Sequence, residues 1–165
     1  MSVNRITVRQ ISVACRHYRE LRAVGVTENL GIRILEHLVD VYAKLLTGAS
    51  ATPHHVRQVD PSQWSVAALA LHARDPNAQL RVEHGTPRRA LARLVLELWE
   101  QNRLSEAELD PLIQKRWKLA VITLEEDRRL NRMARSSLFD TPDERWTAAG
   151  ISFPDRPGTD RQLDL

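Results

Sequence analysis

The chain has 165 residues, of which 42% are hydrophobic and 27% charged, a composition typical of a globular domain and not of a disordered protein. Cys15 is the only cysteine, which excludes an intramolecular disulfide and a zinc site built on a cysteine pair. The net charge of +3 permits contact with nucleic acid without requiring it.

The length and the hydropathy pattern predict one globular domain over residues 1–152, followed by a loosely ordered tail over 153–165. No segment approaches the roughly 20 consecutive apolar residues of a membrane span, and the first residues lack the pattern of a secretion signal. We therefore expect a cytoplasmic protein that does not associate with membranes.

The N-terminal half is predicted to be helical, because its apolar residues recur at three- and four-residue spacing. A first helix is expected over 8–24, where Gly25 ends it. A second is expected over 27–47, and its apolar residues from Leu30 to Leu46 cover most of the circumference. Such a helix is typical of the centre of a bundle or of a contact between two copies of a chain.

Two short strands are predicted in the C-terminal half, over 80–83 and 119–122, and each leads straight into a helix. Thr86 and Pro87 open the first of these helices, and a capping box of Thr123 and Glu126 opens the second. We therefore predict an α+β fold that is predominantly helical, in which paired strands would present both helix starts at the same edge. A purely helical fold is the alternative if 80–83 is only an extended loop.

Glu83 and His84 stand where the first predicted strand meets its helix. Adjacent strand residues point to opposite faces, so these two side chains cannot form a side-by-side pair. An imidazole titrates near neutral pH, which makes His84 a candidate general base, with Glu83 as a second candidate catalytic residue. In the structural alternative, both side chains bond to loop amides and fix the start of the helix.

An acidic residue followed by histidine at the end of a short strand resembles the opening of HNH-type (His-Me finger) nucleases. The resemblance implies a histidine that activates water beside a metal ion. It covers only Glu83 and His84: the Asn and second His that follow in that family, and the zinc-holding cysteine pairs of some members, have no counterpart in this chain.

Glu125, Glu126 and Asp127 form a carboxylate cluster in the first turn of the helix after the second strand. Acidic residues in that position complement the helix dipole, which is a sufficient structural explanation. The functional alternative brings Glu126 to Glu83 and His84 as a catalytic carboxylate, with Asp127 as a ligand of Mg²⁺ or Mn²⁺. A metal cofactor is expected only under this alternative.

Two groups of arginines lie on the helices that follow the strands. They are Arg88, Arg89 and Arg93 on the first helix, and Arg128, Arg132 and Arg135 on the second. Arginine forms bidentate hydrogen bonds with phosphate, so these residues are candidates for contact with DNA or RNA, as one surface if the helix starts share an edge. The alternative is a solvated face that nearby carboxylates partly neutralise.

Residues 83–88 (EHGTPR) and 122–131 (ITLEEDRRLN) resemble segments of short bacterial proteins from mobile elements and restriction or defence neighbourhoods. The resemblance implies an accessory protein that engages nucleic acid, or a nucleic-acid-processing complex, through its arginine-rich helices. One alternative is a metal-dependent nuclease or other hydrolase at Glu83, His84 and a carboxylate of 125–127. Another is a protein-binding inhibitor or immunity protein; self-association through the helix between Leu30 and Leu46 is compatible with all three.

Overall fold

The structure, a computed structural model, describes residues 6–49, 56, 59–134 and 137–154 of the chain. The elements are α1 (Val8–Ala23), α2 (Glu28–Gly31), α3 (Arg33–Thr47), a 3₁₀ turn (Pro61–Gln63), α4 (Val66–Arg74), β1 (Leu80–His84), α5 (Arg88–Glu100), α6 (Glu106–Arg116), β2 (Leu119–Thr123), α7 (Leu124–Ala134) and α8 (Pro142–Ala148). The prediction of a predominantly helical α+β fold is confirmed.

The two strands pair antiparallel, with Leu80 opposite Thr123 and His84 opposite Leu119. The end of β1 therefore lies beside the start of β2, so α5 and α7 begin at opposite ends of the sheet. The expectation that both helices start at one edge is wrong, because it holds only for parallel strands. The two arginine-bearing helices, α5 and α7, therefore do not start next to each other.

The sheet lies between two layers of helices, and side-chain alternation along the strands assigns each residue to a layer. Leu119 and Val82 face the bundle of α1, α3, α5 and α6, whose buried residues form the largest core cluster. Ala120 and Ile122 face the other side, where they pack with residues of α7 and α8. A smaller cluster places Trp64 and α4 against Val121 of β2.

The predicted helix over 27–47 is divided by a turn at Ile32 into α2 and α3. The inner side of α3 is buried, as predicted, at Leu35 and Val39. The outer side is not: Ile34 of α3 is 52% exposed, and Leu30 of α2 is 64% exposed. Within one chain this helix is therefore not buried all round, since α3 packs on α1, α5 and α6 along one side only, and a contact between two copies of the chain stays a prediction.

Local signals at several helix ends act as predicted. Gly25 follows α1 with a φ of +87°, a backbone conformation that glycine adopts without strain. Thr123 Oγ1 accepts a hydrogen bond from the backbone N–H of Glu126, which confirms the capping box of α7. Of the predicted tail only residues 153 and 154 are described, and the ring of Phe153 lies 4.9 Å from that of Trp146.

Candidate functional site

The segment Glu83–Pro87 joins β1 to the elements around it. Glu83 Oε1 accepts a hydrogen bond of 3.1 Å from Arg145 of α8, while His84 Nε2 lies 2.9 Å from Asp40 of α3. The two side chains thus face opposite layers, as the strand alternation predicts. Thr86, which was expected to cap α5, instead donates its hydroxyl to the carbonyl of Arg116 at the end of α6, at 2.6 Å.

Gly85 of the same segment lies against α8. A Cβ atom at this position would come within 2.2 Å of Pro142 Cβ and 3.1 Å of the Trp146 ring. Glycine is therefore required by the close approach of α8 to the end of β1. Taken together, the segment ties β1 to three helices, which is a structural role, but Glu83 and His84 bond to Arg145 and Asp40 and not to the loop amides that the structural alternative assigns to them.

The carboxylate of Asp40 is the centre of a buried polar cluster. Its Oδ1 lies 2.9 Å from His84 Nε2 and accepts a hydrogen bond of 3.1 Å from Trp117 Nε1. Its Oδ2 accepts a hydrogen bond of 2.5 Å from Lys44 Nζ, one turn further along α3. Asp40 is only 3% exposed and Lys44 6%, so this cluster lies inside the helical layer.

The surroundings of Asp40 keep its carboxylate ionised. Burial alone would raise its pKa, but the hydrogen bond and charge of His84, followed by those of Lys44, outweigh it and hold the pKa well below the usual range. An ionised carboxylate is acceptor-only, so the atom of His84 that faces it carries a proton.

His84 keeps one ring nitrogen free. With Nε2 protonated, the Nδ1 atom donates if the ring is the charged imidazolium and accepts if the ring is neutral. Within the part of the chain that the structure describes, Nδ1 has no hydrogen-bond partner, and the side chain keeps 19% of its surface exposed. A histidine held by a carboxylate on one nitrogen and free on the other can accept a proton from a bound molecule.

Sequence reasoning found His84 but missed Asp40, Lys44 and Trp117. Asp40 stands 44 positions before His84, and no local pattern links the two. The one available signal is the spacing of Asp40 and Lys44, an oppositely charged pair one turn apart in a helix that is otherwise rich in apolar residues.

The predicted carboxylate cluster lies elsewhere. Glu126 is 4% exposed and accepts hydrogen bonds from Ser65 Oγ at 2.7 Å and from the backbone N–H of Thr123 at 2.8 Å. Thr123 is at the opposite end of the sheet from His84. Asp127 accepts a hydrogen bond from Asn131 at 3.1 Å. The structure therefore does not bring Glu126 and Asp127 to Glu83 and His84.

The described residues offer neither a metal site nor a reactive thiol. No group of three or more His, Cys, Asp or Glu residues among them lies in an arrangement that could hold a metal ion. Burial, with a smaller contribution from Glu100, raises the pKa of the Cys15 thiol to about 12. A thiol with that pKa stays protonated and unreactive near neutral pH.

The α5 arginines are largely engaged by acidic residues of α2 and α3. Arg93 makes two hydrogen bonds, of 2.7 and 2.9 Å, to the carboxylate of Glu28, which lowers the pKa of Glu28. Arg89 donates to Glu36 at 2.8 Å and also to Asn29. Arg88 is exposed and has no acidic partner among the described residues. Only one of the three predicted α5 residues is thus without a competing carboxylate.

The α7 arginines differ from those of α5. Arg128 and Arg132 are exposed on the same side of the helix, and neither has an ion-pair partner in the described part of the chain. Arg135 lies outside the described residues. Because α5 and α7 cover opposite faces of the sheet, the two groups do not form the single surface that was expected.

Arg145 of α8 links the end of α7 to the end of β1. Only 2% exposed, it donates Nε to the carbonyl of Ala134 at 3.1 Å and Nη1 to the carbonyl of His84 at 2.8 Å. One guanidinium therefore spans from the last residue of α7 to the backbone of the candidate base.

Comparison of the chain with protein-family models, with curated proteins and with solved structures gave no match. None of the described helices combines the length and the hydrophobicity that crossing a membrane demands.

Proposed function

We propose that the protein binds nucleic acid through the exposed face of α7. The observation that carries this proposal is the pair Arg128 and Arg132, one turn apart and exposed, with no carboxylate partner in the described structure. A guanidinium without a partner can bind phosphate without first breaking an ion pair. We define Arg128 and Arg132 as the α7 basic face.

The packing of α7 favours this role. Its buried residues, Glu126, Leu130 and Ala134, are spaced one turn apart and form a narrow seam. The rest of the helix surface is at least partly open to solvent. A helix that is buried along only one narrow line can approach a phosphate backbone closely. On α5, by contrast, Arg89 and Arg93 form ion pairs with carboxylates, which favours a structural role for them.

The proposal keeps the accessory role that the resemblance implies, in which the α7 basic face contacts nucleic acid alone or within a processing complex. A metal-dependent hydrolase at Glu83, His84 and Glu126 finds no support, since the three side chains bond to different elements. A protein-binding inhibitor, which would use the same face to dock an acidic protein, is the competing outcome of the test.

The test is fluorescence anisotropy with labelled duplex DNA, single-stranded DNA and single-stranded RNA over a salt series. Phosphate contacts release counterions, so the logarithm of affinity should fall linearly with the logarithm of salt concentration. Replacing Arg128 and Arg132 with Glu should weaken binding strongly and reduce the slope on duplex DNA by about two, one for each arginine replaced.

The matched control is Arg9→Glu with Arg16→Glu on α1. These arginines are also exposed and without an ion pair in the described structure, so the change in net charge is identical. The control should keep most of the affinity. Equal losses of affinity in both double variants, or an unchanged slope in the α7 variant, would contradict the proposal. Wild type that binds none of the three nucleic acids at low salt would overturn it in favour of the protein-binding alternative.

A further inference from the structure

We infer that the outer side of α3 is a contact surface for a second copy of this chain, whose own α3 packs against it in the antiparallel direction. The surface consists of Ile34, Leu38, Val41 and Leu45, which we define as the α3 stripe. This contact goes beyond nucleic-acid binding and is compatible with it, because α3 and α7 pack against opposite faces of the sheet.

The α3 stripe is apolar on a side of the helix that is open to solvent. Ile34 is 52% exposed and Leu45 36%, and the two residues between them in the stripe are half-buried. The four positions lie on one side of the helix because they follow three- and four-residue spacing. A helix on the surface of a monomer normally carries polar and charged residues on that side. The stripe is therefore suited to packing against another apolar surface.

The spacing of the α3 stripe fits a helix of the same sequence. Its intervals of four, three and four residues are those of the seam between two paired helices. These intervals also read the same in both directions along the chain. In an antiparallel pair centred on the middle of the stripe, Ile34 of one copy lies level with Leu45 of the other. Leu38 then lies level with Val41, so that every residue of the stripe meets an apolar partner, as a two-fold contact requires.

The charges near the two ends of α3 favour the antiparallel direction. Near its N-terminal end, the exposed Arg22 and Arg33 donate to backbone carbonyls, and neither makes an ion pair within the described residues. At its C-terminal end, Leu45 lines a recess together with Glu106 and Asp110. Antiparallel packing brings the basic end of each copy beside the acidic end of the other, whereas parallel packing would bring like charges together. Complementary charge of this kind fixes the orientation of a contact.

The test is sedimentation equilibrium of the full chain over a concentration series. Because a seam of four apolar residues is a small contact, we expect a dimer with a dissociation constant on the order of micromolar. Ile34→Asp should raise this constant by about a hundredfold or more, since the two-fold contact receives the unpaired charge twice.

The matched control is Val13→Asp on α1. Val13 is 57% exposed, close to the exposure of Ile34, and it is not part of the α3 stripe. This variant should keep the dissociation constant of wild type. Thermal unfolding of wild type and both variants in dilute solution, where all three are monomeric, should give closely similar melting temperatures. That result separates the loss of the dimer from a loss of folding.

Cysteine cross-linking tests the direction of the pair. A mixture of the single variants Ile34→Cys and Leu45→Cys should form a disulfide between the two different chains under mild oxidation. Each variant alone should cross-link far less, because identical positions would lie roughly 16 Å apart along the antiparallel pair, which a disulfide does not span. The native Cys15 is buried and does not compete.

Three results would overturn the inference. Wild type that stays monomeric over the whole concentration series would leave the α3 stripe to a different protein or to a lipid surface. Equal weakening of the dimer by Val13→Asp and Ile34→Asp would place the contact elsewhere. Efficient cross-linking of Ile34→Cys to itself would show that the two copies of α3 do not pack in the antiparallel direction.

Discussion

At the scale of single residues, Asp40 holds a charge inside the helical layer, where an ion without partners would be very costly. Lys44, His84 and Trp117 each donate to it, and this offsets the cost of burial. The three donors come from α3, from β1 and from the connection before β2. A single carboxylate therefore joins α3 to β1 and to the connection that leads into β2.

Asp40→Asn should lower the free energy of unfolding by about 3–5 kcal/mol, because it leaves Lys44 buried without its counter-charge. Urea unfolding monitored by circular dichroism measures this. The control is Glu36→Gln, which removes a partner of Arg89 at a part-exposed position and should cost much less. Equal losses of stability in the two variants would contradict the conclusion that the buried charge of Asp40 stabilises the fold more than a part-exposed ion pair does.

The same variant has a pH signature. Because the pKa of Asp40 is lowered in the folded protein, its stabilisation is fully present above the pKa of an unfolded-chain aspartate, about 3.9, and is lost as pH falls through the folded-state value. The difference in stability between wild type and Asp40→Asn should therefore shrink below about pH 4. A difference that stays constant on acidification would show that the charge of Asp40 is not what stabilises the fold.

At the scale of elements, α3 shows how a helix can be apolar on most sides and yet be buried on one. Leu35 is fully buried, while Ile34, the adjacent residue, is 52% exposed. Leu38 and Val41, which lie between these extremes, are half-buried. Composition alone does not distinguish these positions, because the side of α3 that becomes buried depends on which helices pack against it.

Leu35→Asp should unfold the protein, since it places an unpaired charge in the core, whereas Ile34→Asp should change the melting temperature very little. Thermal unfolding of the two variants compares adjacent positions with the same substitution. Comparable destabilisation would mean that the outer side of α3 is covered. Sedimentation of wild type and Ile34→Asp also tests the expected self-association through this helix, because the charged variant should lose any dimer.

The start and end of several elements could be predicted, and their arrangement could not. The start of α7 and the stop of α1 depend on residues a few positions apart, such as Thr123 with Glu126 or Gly25. The direction of strand pairing and the partner of His84 depend on residues far apart in sequence. The hydrolase alternative grouped Glu126 and Asp127 with His84 for this reason, although residues of the first turn of α7 lie at the opposite end of the sheet from His84.

At the scale of the whole molecule, Gly85 is where the α7 and α8 layer meets the end of β1. Gly85→Ala should destabilise the protein by about 1–3 kcal/mol or more, because the added methyl group would overlap Pro142 and the Trp146 ring. Gly31→Ala is the control: its nearest neighbour would be Tyr18 at 3.4 Å, an ordinary contact, and alanine favours the helix. An unchanged stability of Gly85→Ala would mean that α8 is free to move away from β1.

The connection between the two strands has a consequence for the order in which the chain assembles during synthesis. The whole of α5 and α6 lies between β1 and β2, so β1 leaves the ribosome long before its partner exists. An unpaired strand at that stage is exposed to aggregation. Arg81 and Glu83 place opposite charges on one side of β1, whereas β2 is buried along its entire length. The strand that is synthesised first and stays unpaired, β1, is thus the one that carries charges. The more apolar strand, β2, is synthesised only when β1 is already available to pair with it.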